Sequence, residues 1–250
     1  MSKKLYVFGD SFSTPYVCVD PADSFWGLAA KDLMVDEIYS YCWPRNCLEN
    51  IVHTLLSEEF DFNDSYFIVG VPPLLRNSIY MEIRGILGDA DHKKLYKFDK
   101  LFNATEILAT SLNQVGNWEF TETFSNDKEY ISYFSAEWRD VLSLEKIYLL
   151  SNWLLSNNAK FMIVNLSCPV HYQDSWPPGK EIMKKVKNLK NCIIFKDTYQ
   201  SLNYHDKIKP ADYSQFLWNG HHGPAGNRNW YNKIINPLMI KLGWVSDPID

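Results

Sequence analysis

Leu5-Tyr6-Val7-Phe8-Gly9-Asp10-Ser11-Phe12-Ser13 carries a serine at the point where a first β-strand ends and a loop begins. Its short apolar run suits a buried strand, and Gly9-Asp10 interrupts it. In an open α/β sheet the loop after the first strand lies at the carboxyl edge, where such sheets bind ligands. A small residue before the turn and a hydroxyl at its apex are what a backbone needs to present Oγ to a substrate and an N–H to a developing oxyanion. The same residues also suit a plain turn, since the short side chains of Asp10, Ser11 and Ser13 can satisfy backbone donors. Only a matching base elsewhere in the chain separates the two readings.

Working outward, strand-like and helix-like runs alternate. Ser24 to Met34 has apolar residues at helical spacing with Ser24 as N-cap,. Glu37 to Cys42 reads as a second strand, Trp43-Pro44-Arg45-Asn46 as its loop, and Cys47 to Glu59 as a helix,. Tyr66 to Val71 is an apolar run suited to a strand buried on both faces, ended by Pro72-Pro73,. Ala136 to Ser156 predicts a helix, Lys160 to Leu166 a fourth strand, Glu181 to Leu189 a helix and Cys192 to Phe195 a fifth strand; a last helix is expected from about Ala225 to Leu242,.

Between the third strand and Ala136, the stretch from Arg76 to about Phe134 has a mixed pattern. It reads as helical near Lys94–Leu101 and Ala104–Leu112 and turn-rich around Asn117–Glu129, which suggests a helical insertion or lid. Five β-rich runs alternating with helices predict a doubly wound, mainly parallel α/β sheet. With no internal repeat or Gly/Ser linker, a single domain over residues 1–250 is the simplest organisation. A flavodoxin-like core with Arg76–Phe134 as a small subdomain is the alternative.

Composition narrows the chemistry. The 250 residues carry a net charge of −5 with Lys and Arg dispersed, so no basic stripe announces a nucleic-acid groove,. Cys18, Cys42, Cys47, Cys168 and Cys192 are odd in number and contain no C-x-x-C pair, which fits reduced thiols in a cytoplasm better than disulfides or a zinc knuckle,. The start is too short in apolar residues for a signal-peptide core, and no apolar run is long enough to span a bilayer,. Neither a P-loop nor a G-x-G-x-x-G fingerprint occurs, so no cofactor, metal, nucleic acid or membrane partner is expected,.

The counterpart to Ser11 stands near the C-terminus, in Trp218-Asn219-Gly220-His221-His222-Gly223-Pro224, just before the last helix. A G-D-S motif after the first strand with a D-x-x-H-like motif before the last helix resembles the SGNH or GDSL-type serine hydrolases. The resemblance follows chain order over the whole length, although two short motifs carry it. It implies a flavodoxin-like α/β/α sandwich and an esterase or deacylase acting on a small-molecule or glycan ester. Ser11 then corresponds to the nucleophile, His222 to the general base and Asn219 to the position of the family's aspartate.

The chemistry of those residue types agrees with the roles: an imidazole takes the hydroxyl proton during attack and returns it to the leaving alcohol, while a third group holds the tautomer. Asn219 departs from the pattern, because an amide cannot stabilise imidazolium as a carboxylate does; in serine proteases the comparable change lowers turnover by roughly 10⁴. Asp212 is another nearby carboxylate, and some family members orient the histidine with a backbone carbonyl. His221 is the second choice for the base. His53, His92, His171 and His205 lack ligand spacing and read as structural or surface residues,.

The oxyanion region departs further. The family's loop glycine after the second strand is missing from Trp43-Pro44-Arg45-Asn46, where Asn46 offers an amide instead. After the third strand, Gly70-Val71-Pro72-Pro73 has proline where the family has asparagine, leaving Arg76 as the candidate to hold an oxyanion or an anionic substrate group,. Asp10, Trp43, Arg45, Asn46, Gly70 and Arg76 are thus the expected oxyanion or substrate-binding residues. Trp26 is either pocket wall or core. Similar departures resemble those of phage-encoded SGNH-like proteins. A degenerate member that binds an acylated or anionic ligand without turnover is the main alternative, followed by acyl transfer.

Overall fold

The computed structural model describes residues 2–10, 12–13, 20–42, 48–72, 78–81, 93–97, 108–110, 117–120, 136–166, 177–195, 198–208 and 222–246. Five strands run parallel: β1 (Lys4–Gly9), β2 (Glu37–Cys42), β3 (Ser65–Val71), β8 (Lys160–Asn165) and β9 (Cys192–Ile193). Their order is β2-β1-β3-β8-β9, with β1 pairing β2 on one side and β3 on the other. The direction of winding reverses between β1 and β3. In doubly wound sheets of this order, the crevice beyond the carboxyl ends at that reversal is where ligands bind.

Each central strand is buried on both faces, and its side chains alternate between two cores. Leu5, Val7, Tyr66, Ile68, Met162 and Val164 point to one core, together with α1 (Phe25–Leu33) and the C-terminal helices. Tyr6, Phe8, Phe67, Val69, Phe161 and Ile163 point to the other, against α2 (Leu48–Ser57), α3 (Ala136–Ser156) and α4 (Pro177–Lys187). Period-two alternation with apolar residues on both faces produces the near-continuous runs visible in the sequence. The result is a three-layer α/β/α sandwich.

The C-terminal helix system is interrupted. α6 (Pro224–Trp230) passes through a π-helical turn (Tyr231–Ile235) into α7 (Asn236–Lys241). Pro237 explains the turn: its ring blocks the bond to the preceding helical turn and it has no N–H. The register widens there, and the Asn236 N–H reaches the Tyr231 carbonyl,. The Tyr231 hydroxyl in turn bonds the Asp32 carboxylate of α1, tying this turn to the first helix.

Two expectations need correcting. The stretches read as helical near Lys94–Leu101 and Ala104–Leu112 instead hold strands β5 (Lys93–Lys97) and β6 (Leu108–Thr110). β5 pairs antiparallel with β2, and β6 with β5, so the sheet grows to seven strands at that edge. β4 (Ser78–Met81) and β7 (Asn117–Phe120) form a separate antiparallel pair. Short runs with few apolar residues are ambiguous between the helical and strand periods, and an open sheet edge decides the matter by supplying hydrogen-bond partners. The rest of 76–134 lies outside the described residues.

Candidate active site

At the carboxyl end of β1 the chain folds back sharply. The Ser13 N–H donates to the Asp10 carbonyl at 3.0 Å, and the Phe12 N–H donates to Asp10 Oδ1 at 3.0 Å. Asp10 is fully buried, so its carboxylate works as the internal acceptor of this turn. Gly9 permits the fold-back, since a Cβ there would meet Ser13 Oγ at 2.3 Å and Ser13 Cβ at 2.7 Å. Both residues flanking Ser11 are therefore held in a compact turn at the sheet's switch point. The turn reading and the nucleophile reading of this segment are compatible.

Trp26 braces the same turn from behind. It is fully buried, which makes it core and not pocket wall, and its indole Nε1–H donates to the Ser13 carbonyl at 2.8 Å. Trp26→Phe keeps most of the ring volume and removes that donor. The expected cost is about 1–2 kcal/mol, with faster amide exchange at Phe12 and Ser13 and unchanged exchange in β1 and β3. Exchange that stays slow at both residues would show that the indole does not hold the turn.

On the facing side, His222 precedes α6 and is only 5 % exposed. Gly226 accommodates it: a Cβ at that position would lie 2.3 Å from His222 Cβ and 2.9 Å from Cγ. Asn227, on the next step of α6, acts as a four-way brace. Its Oδ1 accepts the Phe25 N–H of α1 at 3.1 Å. Its Nδ2 lies within donating distance of the Tyr199 hydroxyl and the His222 carbonyl, both at 3.1 Å, and of the Gly223 carbonyl at 3.2 Å.

Tyr199 joins the two halves. It opens α5 (Tyr199–His205), whose start is fixed by a capping box between Thr198 and Ser201,. Its hydroxyl donates to the His222 carbonyl at 3.2 Å. Its ring stands edge-on to His222 with centroids 5.5 Å apart and packs on Phe12 with centroids 5.9 Å apart. One aromatic ring thus touches both His222 and the residue that follows Ser11.

Of the expected site residues, Asp10, Gly70 and His222 fall within the described part of the chain. Gly70 lies inside β3, where a Cβ would press on the Leu166 side chain at 2.6 Å. Ser11, Asn219, Trp43, Arg45, Asn46 and Arg76 lie outside the described residues, as do His221 and Asp212. Cys42 neighbours the turn, but burial first, with the charge of Asp10 adding, pushes its thiol up to about 12. It is therefore a protonated thiol at neutral pH and no redox nucleophile.

Sequence reading missed Tyr199 and Asn227. Two signals were available: Thr198-x-x-Ser201 has capping-box form, and Asn227 sits one turn into a helix opened by Gly223-Pro224,. No helix among the described residues is long and apolar enough to cross a membrane. Among the described residues no group of three or more His, Cys, Asp or Glu could hold a metal ion.

No protein-family model matches the chain, and no curated protein matches it. Among solved structures, it is similar to a protein described as lipolytic and of the G-D-S-L family from Desulfitobacterium hafniense, at 11 % identity and a TM-score of 0.42, over 92 % of this chain and 96 % of that one. It is likewise similar to the acetyl xylan esterase AlAXEase, at 13 % identity and a TM-score of 0.44, over 94 % and 98 %. A third similar structure, described as a GDSL-like lipase from Parabacteroides merdae, has 12 % identity and a TM-score of 0.45, over 97 % and 96 %.

Proposed function

We propose that the chain is a serine hydrolase of the SGNH/GDSL type, an esterase or deacylase that cleaves a small acyl ester through an acyl-Ser11 intermediate. The supporting observation is the Tyr199 ring, which packs on both Phe12 and His222 beside the switch point of the sheet,. Ser11 Oγ attacks the ester carbonyl carbon while its proton passes to His222 Nε2. The tetrahedral intermediate collapses, the bond to the alcohol oxygen breaks, and the alcohol leaves with the proton from His222. Water activated by the same imidazole then releases the acid and returns the proton to Ser11.

The oxyanion falls to the Ser11 N–H and the Arg76 guanidinium, with Trp43, Arg45 and Asn46 lining the substrate and Asn219 beside His222. A cytoplasmic setting belongs to the same proposal, since the odd cysteine count without a C-x-x-C pair suits a reducing compartment,. Intact-mass analysis after exposure to a fluorophosphonate should give one adduct, mapped to Ser11 and absent from Ser11→Ala. An unmodified wild-type protein with a native circular-dichroism spectrum would overturn the reading.

A ligand-binding protein without turnover is the second reading. Pro72, at the end of β3, favours it because proline brings no N–H to the site's edge,. Hydrolysis of a short acyl ester that disappears in Ser11→Ala rules this second reading out.

A further inference from the structure

At the end of the sheet away from the candidate active site, a cavity of about 480 Å³ opens beside the C-terminal segment. Lys3 and Tyr66 line it and mark the amino edge, since one precedes β1 and the other lies near the start of β3. The Tyr66 and Trp244 rings in its wall stand 5.1 Å apart at 59°, and the Trp244 backbone N–H donates to the Met239 carbonyl at 2.9 Å. Met34, just past α1, has a left-handed backbone with φ 51° and keeps its side chain 70 % exposed at the rim. The volume suits a small organic molecule, and two rings with an exposed thioether offer it apolar surface to cover.

The cavity also holds a carboxylate, that of Asp32, and the π-helical turn orients it. Residues five apart on an α-helix diverge by roughly 140°. The widened turn instead stacks Tyr231 and Asn236, whose N–H reaches the Tyr231 carbonyl,. Both side chains therefore reach Asp32 Oδ2: the Tyr231 hydroxyl donates to it, and so does Asn236 Nδ2–H at 3.3 Å. Burial first, with Asp32 adding, pushes the Tyr231 hydroxyl up, so it stays a donor. Neither bond engages Oδ1, and Asp32 forms no ion pair among the described residues. Lys3 lines the same cavity unpaired, and Lys160 Nζ is spent over the Tyr66 ring, 5.0 Å from its centroid. Of the charges in the cavity wall, only the negative one is held in place.

We propose that this cavity is a second binding site, taking an organic ammonium ion with a ring-sized apolar body. The ammonium meets Asp32 Oδ1, and the body lies against Trp244 and Tyr66, whose ring faces also attract a cation. A carboxylate fixed before binding loses little freedom on contact, which favours the ammonium over a neutral or anionic molecule of the same shape. The inference is independent of the hydrolase reading, because the site lies at the opposite end of the strands.

The probe is 2-phenylethylammonium, followed on the full chain by ¹H–¹⁵N NMR at the Trp244 indole N–H, which is assigned by its loss in Trp244→Phe. That signal should move saturably, with 2-phenylethanol and 3-phenylpropionate binding about tenfold more weakly. Asp32→Asn should bring the ammonium down to the level of the alcohol. Tyr231→Phe keeps the charge and removes its support, so it should weaken the ammonium about threefold and leave the alcohol unchanged. The spectrum of each variant without probe shows whether it is folded. A Trp244 signal that does not move, an alcohol or propionate that binds as tightly, or an ammonium affinity unchanged in every folded variant overturns the proposal.

Discussion

Alanine in place of Ser11 is expected to lower kcat/KM for a short acyl ester such as 4-nitrophenyl acetate by about 10³–10⁴-fold, and alanine in place of His222 by a comparable factor. The reason is that the two side chains perform one step. Without the imidazole the hydroxyl keeps its proton and remains a weak nucleophile; without the hydroxyl the imidazole has nothing to activate but water. The double variant should therefore be no slower than either single one. Independent contributions would instead multiply, and a double variant far below both singles would mean that Ser11 and His222 do not act together. The Tyr199 ring, in contact with Phe12 and His222, is the physical link that makes this coupling expected.

The largest effect on stability is expected at Asn227. Its amide serves the α1 N-terminus through the Phe25 N–H and the His222 and Gly223 carbonyls, and the residue is almost fully buried. Asn227→Ala leaves the buried Phe25 N–H unmet, at roughly 1–3 kcal/mol, and takes one donor each from the His222 and Gly223 carbonyls, which keep the Tyr199 hydroxyl and the Gly226 N–H, at about 0.5–1.5 kcal/mol per lost bond,. The summed cost is about 3–5 kcal/mol, a large share of the stability of an ordinary domain. For a chain of this size that lowers Tm by roughly 10 °C. Arg228→Ala, one residue along α6, is the matched control: its 3.6 Å pair with Asp23 is exposed, and such pairs contribute about 0–1 kcal/mol. Equal Tm values for the two variants would remove Asn227 from its bracing role.

Much of the sheet was legible because burial on both faces writes itself into the chain. Tyr66 to Val71 needed no partner information to read as a strand, and α3 runs over Ala136–Ser156 as its spacing predicts. The Ser24 cap was likewise local: its hydroxyl accepts the Gly27 N–H at 3.0 Å. Lys93–Lys97 was misread because Leu95, Phe98 and Leu101 also suit a helix, and only the open edge of β2 makes a strand of it,.

Local sequence is enough to give the order of the parallel strands' apolar runs, the glycine and short polar residues of the turn around Ser11, and a histidine just before the last helix. All of these depend on residues close together in the chain, where periodicity, capping and turn chemistry act. Long-range packing alone sets Tyr199 across the two halves of the site, Trp26 behind the turn within the core, and Asn227 beside His222. Their hydrogen bonds and close approaches join positions up to 202 residues apart. No local pattern encodes such partners, because donor directions and close approaches exist only once the sheet brings its carboxyl edge against the N-termini of α1 and α6.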